Sequence, residues 1–320
     1  MQYSVVIRTL GKVTDTYIKT LRSLMCLSIP PSQVLIYIAE GYPIPSCRIG
    51  MEQYIYVPKG MVAQRALSYK EVETEYCLFL DDDVYLPPDS VDIMYSELIR
   101  NSADVISPCT FLHHNEPLRK KIISSILGKE VCRVCTDKWG FKVLKTAGFS
   151  YKNNPTQPVY LSQTNAGPCF FCRKDVFLQI NYDEERWLDK TYYALPDDQV
   201  MFYKMYKRGL KILTTYDTGV MHLDASSTIE DREEKTIRLT YSEYRNKLIF
   251  WHRFLFLPEK NVLAKTWAIA AISYAYCLQA IKHAISYLVG HKAGSRAFFC
   301  GVKDALNFLR SDEYKKLPLV

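Results

Sequence analysis

Asp81-Asp82-Asp83 follows directly on an apolar run, Tyr76-Cys77-Leu78-Phe79-Leu80, and Pro87-Pro88 stops what comes after it. Side chains alternate across an extended chain, so Asp81 and Asp83 are expected on one face and Asp82 on the other. Two carboxylates on one face repel each other unless a cation sits between them. Oxygen ligands favour a hard divalent ion, Mg²⁺ or Mn²⁺. The plain alternative is a solvated acidic turn, which rarely caps a buried strand.

Pro196-Asp197-Asp198-Gln199 is a second acidic cluster, about a hundred residues further on, and Arg208-Gly209 closes the segment it opens. Asp and Pro start helices, and basic residues with Gly end them. An Asp there is often only a cap. It also stays ionised in the field of the helix N-terminus, which suits a group that accepts a proton. The third candidate is His222, in Thr218-Gly219-Val220-Met221-His222-Leu223. It is either a satisfied structural imidazole or a metal ligand. Ser226 to Arg238 is polar and charged, as a loop that closes over a substrate would be.

These residues need a frame that brings them together. Ser4–Arg8, Gln33–Ala39, Gln53–Val57 and Tyr76–Leu80 read as short apolar strands. Thr14–Met25 and Met61–Thr74 read as intervening helices. That alternation predicts an α/β fold with a mostly parallel central sheet flanked by helices. Ligands on such sheets sit at the carboxyl ends of the strands, where Asp81 falls.

Taken in order, these motifs resemble family 2 inverting glycosyltransferases of the GT-A fold, in the rhamnosyl- and galactofuranosyltransferase-like branch. Ser4-Val5-Val6-Ile7-Arg8-Thr9 is similar to that family's opening strand. Glu40-Gly41 stands where an acidic residue contacts the nucleoside base, and Lys59-Gly60 with Gln64-Arg65 resembles a stretch ending in Ala-Arg-Asn, with Ala66 replacing the Asn. Asp81-Asp82-Asp83 matches the Asp-x-Asp metal motif, Asp197-Asp198 the acidic pair before the acceptor-side helix, and His222 a metal-completing histidine. Tyr241 with Arg245-Asn246 is similar to an element of the rhamnosyltransferase-like branch.

The resemblance implies a UDP- or dTDP-sugar donor and a saccharide or lipid-linked acceptor, in cell-surface glycan synthesis. Thr9, Glu40, Lys59, Arg65, Asp81 and Asp82 would contact the donor. A metal held by Asp81, Asp83 and His222 would neutralise the departing diphosphate. Asp198 is the expected general base, with Asp197 second to it, and Trp187 would stack on the acceptor unless it is a core residue.

The expected organisation is a catalytic domain over 1–254, with a nucleotide-binding half (1–107) and an acceptor-binding half (108–254), then a helical tail over 255–320. From Phe256 to Val320 there are nine Lys/Arg against four Asp/Glu, which accounts for most of the chain's net charge of +7. Such a tail favours an anionic lipid surface over nucleic acid, for which no signature is present. The uncharged stretch Thr266–Ile281 has sixteen residues, short of the ~20 needed to span a bilayer. Peripheral attachment through 262–310 and a helical cap at a protein or dimer interface both fit.

The start of the chain carries no basic segment followed by a long apolar run, so a cytoplasmic location is expected, at the inner face of the membrane if the tail attaches. Reduced thiols follow. Cys132/Cys135 and Cys169/Cys172 could together ligate zinc, but Cys169-Phe170-Phe171-Cys172 reads as a buried strand, where positions three apart face opposite ways and one ion does not easily take both, so buried apolar residues are the expected reading. Among competing functions, a phosphohydrolase of the haloacid-dehalogenase type would need a Thr where Tyr85 stands. A nucleotidyltransferase would need a Gly-rich phosphate loop near the N-terminus, and Leu10-Gly11-Lys12 does not supply one. An inactive scaffold subunit would not need the acidic clusters.

Overall fold

The computed structural model describes residues 1–110, 117–132, 138–152, 154–223 and 232–320. Its strands are β1 (Tyr3–Thr9), β2 (Gln33–Ala39), β3 (Glu52–Val57), β4 (Tyr76–Asp81), β5 (Val84–Tyr85), β6 (Val105–Pro108), β7 (Glu130–Cys132), β8 (Trp139–Val143), β9 (Phe149–Tyr151), β10 (Val159–Ser162), β11 (Cys169–Arg173), β12 (Ile212–Thr215) and β13 (Met221–His222). Its helices are α1 (Asp15–Met25), α2 (Ser90–Arg100), α3 (Leu118–Ile126), α4 (Lys174–Leu178), α5 (Asp197–Lys207), α6 (Arg232–Phe250), α7 (Val262–Leu288), α8 (Lys292–Arg310) and α9 (Asp312–Lys315). A 3₁₀ stretch covers Tyr182–Lys190 and a π turn covers Trp251–Phe256.

Among the described residues, eleven strands form one sheet in the order β3-β2-β1-β4-β11-β6-β12-β10-β8-β9-β7. The first four run parallel, and β2, β1 and β4 are buried along nearly their whole length, as parallel strands covered on both faces are. β11 runs antiparallel between β4 and β6, and β12 returns parallel to β6. The result is the α/β sheet flanked by helices that was expected, with a helical C-terminal part. β5 and β13 pair in a separate two-stranded sheet.

Two expectations on local structure change. The segment from Met61 to Thr74 is a series of turns and not a helix. Asp189 caps the amides of Val62 and Ala63 at 2.9 Å each, and a Cβ on Gly60 would stand 2.6 Å from that carboxylate. One helical turn forms beyond this cap, with the Gln64 amide on the Gly60 carbonyl and the Ala66 amide on the Val62 carbonyl, but the Tyr69 hydroxyl then takes the Gln64 and Arg65 carbonyls and Tyr69 itself turns to a φ of 47°, which ends the ladder. The alternation of Asp81, Asp82 and Asp83 also fails, because β4 ends at Asp81 and the next two residues turn into β5.

Cys169 and Cys172 are fully buried in two different apolar clusters, one on each face of the sheet. Burial raises both thiols. The Cys132/Cys135 pairing lies outside the described residues, as do residues 226–231 of the expected closing loop.

The C-terminal helices share a core with the sheet. Val6, Leu35 and Phe79 belong to the same apolar cluster as Phe254, Leu255, Ala268, Ile272, Ala305 and Phe308. Helices α6 and α8 pack so closely that a Cβ on Gly301 would lie 2.6 Å from the Tyr241 carbonyl oxygen. Under them is a buried ion network: Glu185 accepts from Lys204 at 2.8 Å, from both ends of the Arg253 guanidinium and from the Trp187 indole at 2.7 Å. Burial alone would raise the Glu185 carboxyl, but Arg253 and Lys204 overcome it and hold it lowered.

Candidate active site

The sheet delivers Arg8 and Asp81 to the same level, since they are register partners on β1 and β4. The Arg8 guanidinium pairs with the Asp81 carboxylate. Next along each chain, the Thr9 hydroxyl donates to Asp82 at 2.5 Å. Burial, with the charges of Asp81 and Asp83, raises the Asp82 carboxyl to about 6 against the lowering pull of that hydroxyl. Asp83 meets a third partner. The pairing of β13 with β5 sets His222 opposite Val84, and His222 Nε2 lies 3.1 Å from Asp83 Oδ1.

The second acidic cluster joins the first through Arg65 and a tight turn. Arg65 is 2% exposed, and its Nη1 lies 2.5 Å from Asp197 and 2.6 Å from Asp198. Asp198 accepts the Gly167 amide at 2.9 Å, and the Asp81 amide donates to the carbonyl of the next residue, Pro168, at 2.8 Å. Asp198, Gly167, Pro168, Asp81, Asp82, Asp83 and His222 thus form one continuous line at the carboxyl end of β4. Gly167 is required there: a Cβ would stand 2.0 Å from Asp198 Oδ1.

The two carboxylates at the start of α5 differ in environment. The Asp197 side chain is 8% exposed and the Asp198 side chain 35%. Burial raises the Asp197 carboxyl to about 7, with Arg65 pulling down and Asp198 pushing up. Tyr182 donates to the Asp197 carbonyl at 2.9 Å, fixing the helix start. Asp198 borders a cavity of ≈ 170 Å³ whose lining includes Phe141, Phe149, Asn165 and Leu195.

A divalent ion is testable against this geometry. Among the described residues no three His, Cys, Asp or Glu side chains are grouped to hold a metal. Asp81 turns to Arg8, so the expected set of Asp81, Asp83 and His222 is not assembled. Asp83 and His222 remain, in a 3.1 Å pair contact that sets one carboxylate beside one imidazole. Magnesium-type sites use one or two carboxylates and leave other positions to substrate phosphates and water. A two-residue protein set fits that pattern.

Glu40 and Lys59 stand outside the line of acids, exposed beyond the ends of β2 and β3. Lys59 Nζ donates to the Tyr42 hydroxyl at 2.9 Å. The acceptor-stacking role expected of Trp187 is corrected: it is 2% exposed, held in the core by Glu185, and has no face free for a sugar. The Tyr241, Arg245, Asn246 element is structural. Tyr241 donates to Asp304 at 2.7 Å, and Asn246 donates to Thr191 at 3.1 Å. Sequence reasoning missed Arg8 and Gly167. A lone charge closing the apolar strand Tyr3–Thr9 was a signal for the first. For the second the only signal was a Gly-Pro turn before β11.

The fold and this line of residues define an α/β protein with an acidic, arginine-bridged site at the carboxyl ends of parallel strands. No protein-family model matches the chain, and no curated protein matches it. Among solved structures it is similar to a crystal structure of GalNAc-T7 with UDP, GalNAc and Mn²⁺, at 10% identity and a TM-score of 0.48, over 85% of this chain and 54% of that one. The chain thus spans about half the length of that neighbour. The likeness is one of overall shape and identifies no donor, ion or acceptor here.

Proposed function

We propose that this protein is a glycosyltransferase that moves a sugar from a nucleotide-sugar donor to a hydroxyl acceptor with inversion, in the manner of the family 2 enzymes its motifs resemble. The observation that carries the reading is Asp198. Its carboxylate is fixed by the Gly167 amide and Arg65, keeps a solvent-facing edge on a cavity, and is joined to the Asp81–Asp83 turn through Gly167-Pro168.

Asp198 takes the proton of the attacking hydroxyl. Arg65 and the Gly167 amide hold its orientation, and buried Asp197 shares the charge of Arg65. Phe149 and Leu195 line the same cavity and supply the apolar contacts of the acceptor sugar in place of Trp187. Thr9, Glu40, Lys59 and Asp82, at or beyond the strand ends, contact the nucleotide. Asp83 and His222 would hold Mn²⁺ or Mg²⁺. When bound, the ion supplies positive charge to the leaving diphosphate.

The test is turnover of a panel of UDP- and dTDP-sugars with Mn²⁺ or Mg²⁺, with product analysis. Donor hydrolysis or transfer that disappears in Asp198→Asn supports the reading. A folded wild-type protein that turns over no nucleotide sugar sinks it, and cleavage of simple phosphate esters instead would replace it with a phosphohydrolase.

We further propose a lipid-linked acceptor met at a membrane surface. Among the described residues no helix is long and apolar enough to cross a membrane. Helices α3 and α7 nonetheless expose Ile122, Ile123, Ile126, Trp267, Ile281 and Ile285, and the Tyr274 hydroxyl donates to the Ile126 carbonyl at 3.0 Å, joining the two faces. Arg119 and Lys121 stand beside them to meet anionic headgroups. Co-sedimentation with phosphatidylglycerol vesicles that is lost in Trp267→Glu is the expected result, and equal sedimentation of that variant would remove the contact.

A further inference from the structure

A cleft of ≈ 700 Å³ lies between α6, the end of α7 and the start of α8. Arg232, Glu233, Lys282, His283 and His291 supply its ionisable lining. Ala293, Gly294 and Ser295, in the first turn of α8, form another wall.

That first turn is a place for negative charge. Opening amides have no carbonyl of their own helix to bond, and the aligned peptides add a partial positive charge. His291, at the N-cap, makes no side-chain cap bond. The opposing pole, the last turn of α7, is already satisfied: its carbonyls at Ile285, Ser286 and Tyr287 accept the amides of Val289, His291 and Gly290.

His283 is the independent sign of a ligand. It lines the cleft, is 9% exposed, and its Nε2 has no hydrogen-bond partner. The ring is pinned, stacked on Phe298 at 4.6 Å with an interplanar angle of 11° and edge-on to Tyr244. Buried ring nitrogens are normally bonded, and leaving one bare costs free energy. Burial lowers the His283 pKa to about 4, and Lys282 and Lys129 add to the lowering against Glu243. The imidazole is therefore neutral near pH 7 and stands in a positive field.

We propose that this cleft binds a phosphate ester, seated on the first turn of α8 and held by Lys282 and His283. Oxyanions at helix N-termini with nearby cations are the chemistry such a place recognises. The volume exceeds that of a bare phosphate. Next to the cleft Ile281, Ile285, Leu288 and Val289 are exposed, where the chains of a lipid phosphate would rest. The source of the phosphate is therefore a soluble ester or a lipid headgroup, and the probes separate them.

The experiment titrates the full chain, in EDTA so that the acidic site holds no ion, with inorganic phosphate, pyrophosphate and dihexanoyl phosphatidic acid below its micellar concentration. Calorimetry reads affinity, and selectively ¹⁵N-labelled histidine reads the His283 ring. The expected result is a Kd below about 1 mM for at least one probe, a shifted His283 signal, and about tenfold weaker binding in Lys282→Glu. Comparable affinity for pyrophosphate and the lipid assigns a soluble ester, and a clear preference for the lipid assigns a headgroup. Absence of binding by all three, or binding unchanged in both Lys282→Glu and His283→Gln, overturns the site. Lys282 is exposed, so its variant remains informative if His283→Gln does not fold. Nucleotide-sugar turnover is read separately on the same proteins, so either idea can fail alone.

Discussion

The Gly167 amide donates to the Asp198 carboxylate at 2.9 Å, and no side chain fits between them, because a Cβ on Gly167 would meet Asp198 Oδ1 at 2.0 Å. The glycine sets where the carboxylate stands. Gly167→Ala is expected to lower kcat by about 100-fold through displacement of the base. Far-UV circular dichroism would be unchanged, and turnover near the wild-type rate would show that the contact does not position a catalytic group.

Asp198→Asn removes the proton acceptor and keeps the shape. The expected loss in kcat is about 10²–10⁴-fold, with donor KM within a few-fold of wild type. Asp197→Asn should act differently. Asp197 is buried against Arg65, so its substitution should weaken thermal stability as well as turnover. Steady-state kinetics and a melting curve on both variants separate the two roles. If Asp197→Asn alone abolished turnover in a fully stable protein, the assignments would have to be exchanged.

The Asp83–His222 pair predicts a response to metal. Chelation should abolish turnover and added Mn²⁺ should restore it. His222→Ala and Asp83→Ala should each require more Mn²⁺ for half-maximal rate, by about tenfold or more. Full activity after exhaustive chelation would remove the ion from the reaction.

Acid stability should depend on Glu243. It lies 2.9 Å from both Lys129 and Lys247. Burial opposes its charge, but the two lysines lower its carboxyl to about 2 from an ordinary 4.5. A carboxyl lowered on folding stabilises the folded state above its unfolded pKa, and that contribution disappears as pH falls through the folded value. Between about pH 4.5 and 2 the wild type should therefore lose stability faster than Glu243→Gln, measured by urea denaturation at several pH values. Parallel curves for the two proteins would mean that the pairs are not formed in solution.

Much of the frame was legible because its signals are local. The apolar runs at Tyr3–Thr9, Gln33–Ala39 and Tyr76–Asp81 are strands buried on both faces, and such strands need no partner to be recognised. The Asp-Asp start and Arg208-Gly209 end of α5 are cap chemistry, visible within one segment. The failures have the opposite character. Met61–Thr74 has helical spacing, yet Tyr69, packed among Tyr37, Phe79 and Phe177 of other segments, turns the chain at a φ of 47°. Trp187 has the residue type of a sugar platform, but Glu185 and the core hold it.

The sequence by itself determined the strands, the acidic clusters and their place at element ends, since periodicity and capping act over a few neighbouring residues. Tertiary structure alone decided which carboxylate meets which partner. Arg8 reaches Asp81 across 73 positions, Arg65 reaches Asp197 across 132 and Gly167 reaches Asp198 across 31. Those pairings are set by strand register and by burial of charge against charge, and no local pattern in a chain encodes either.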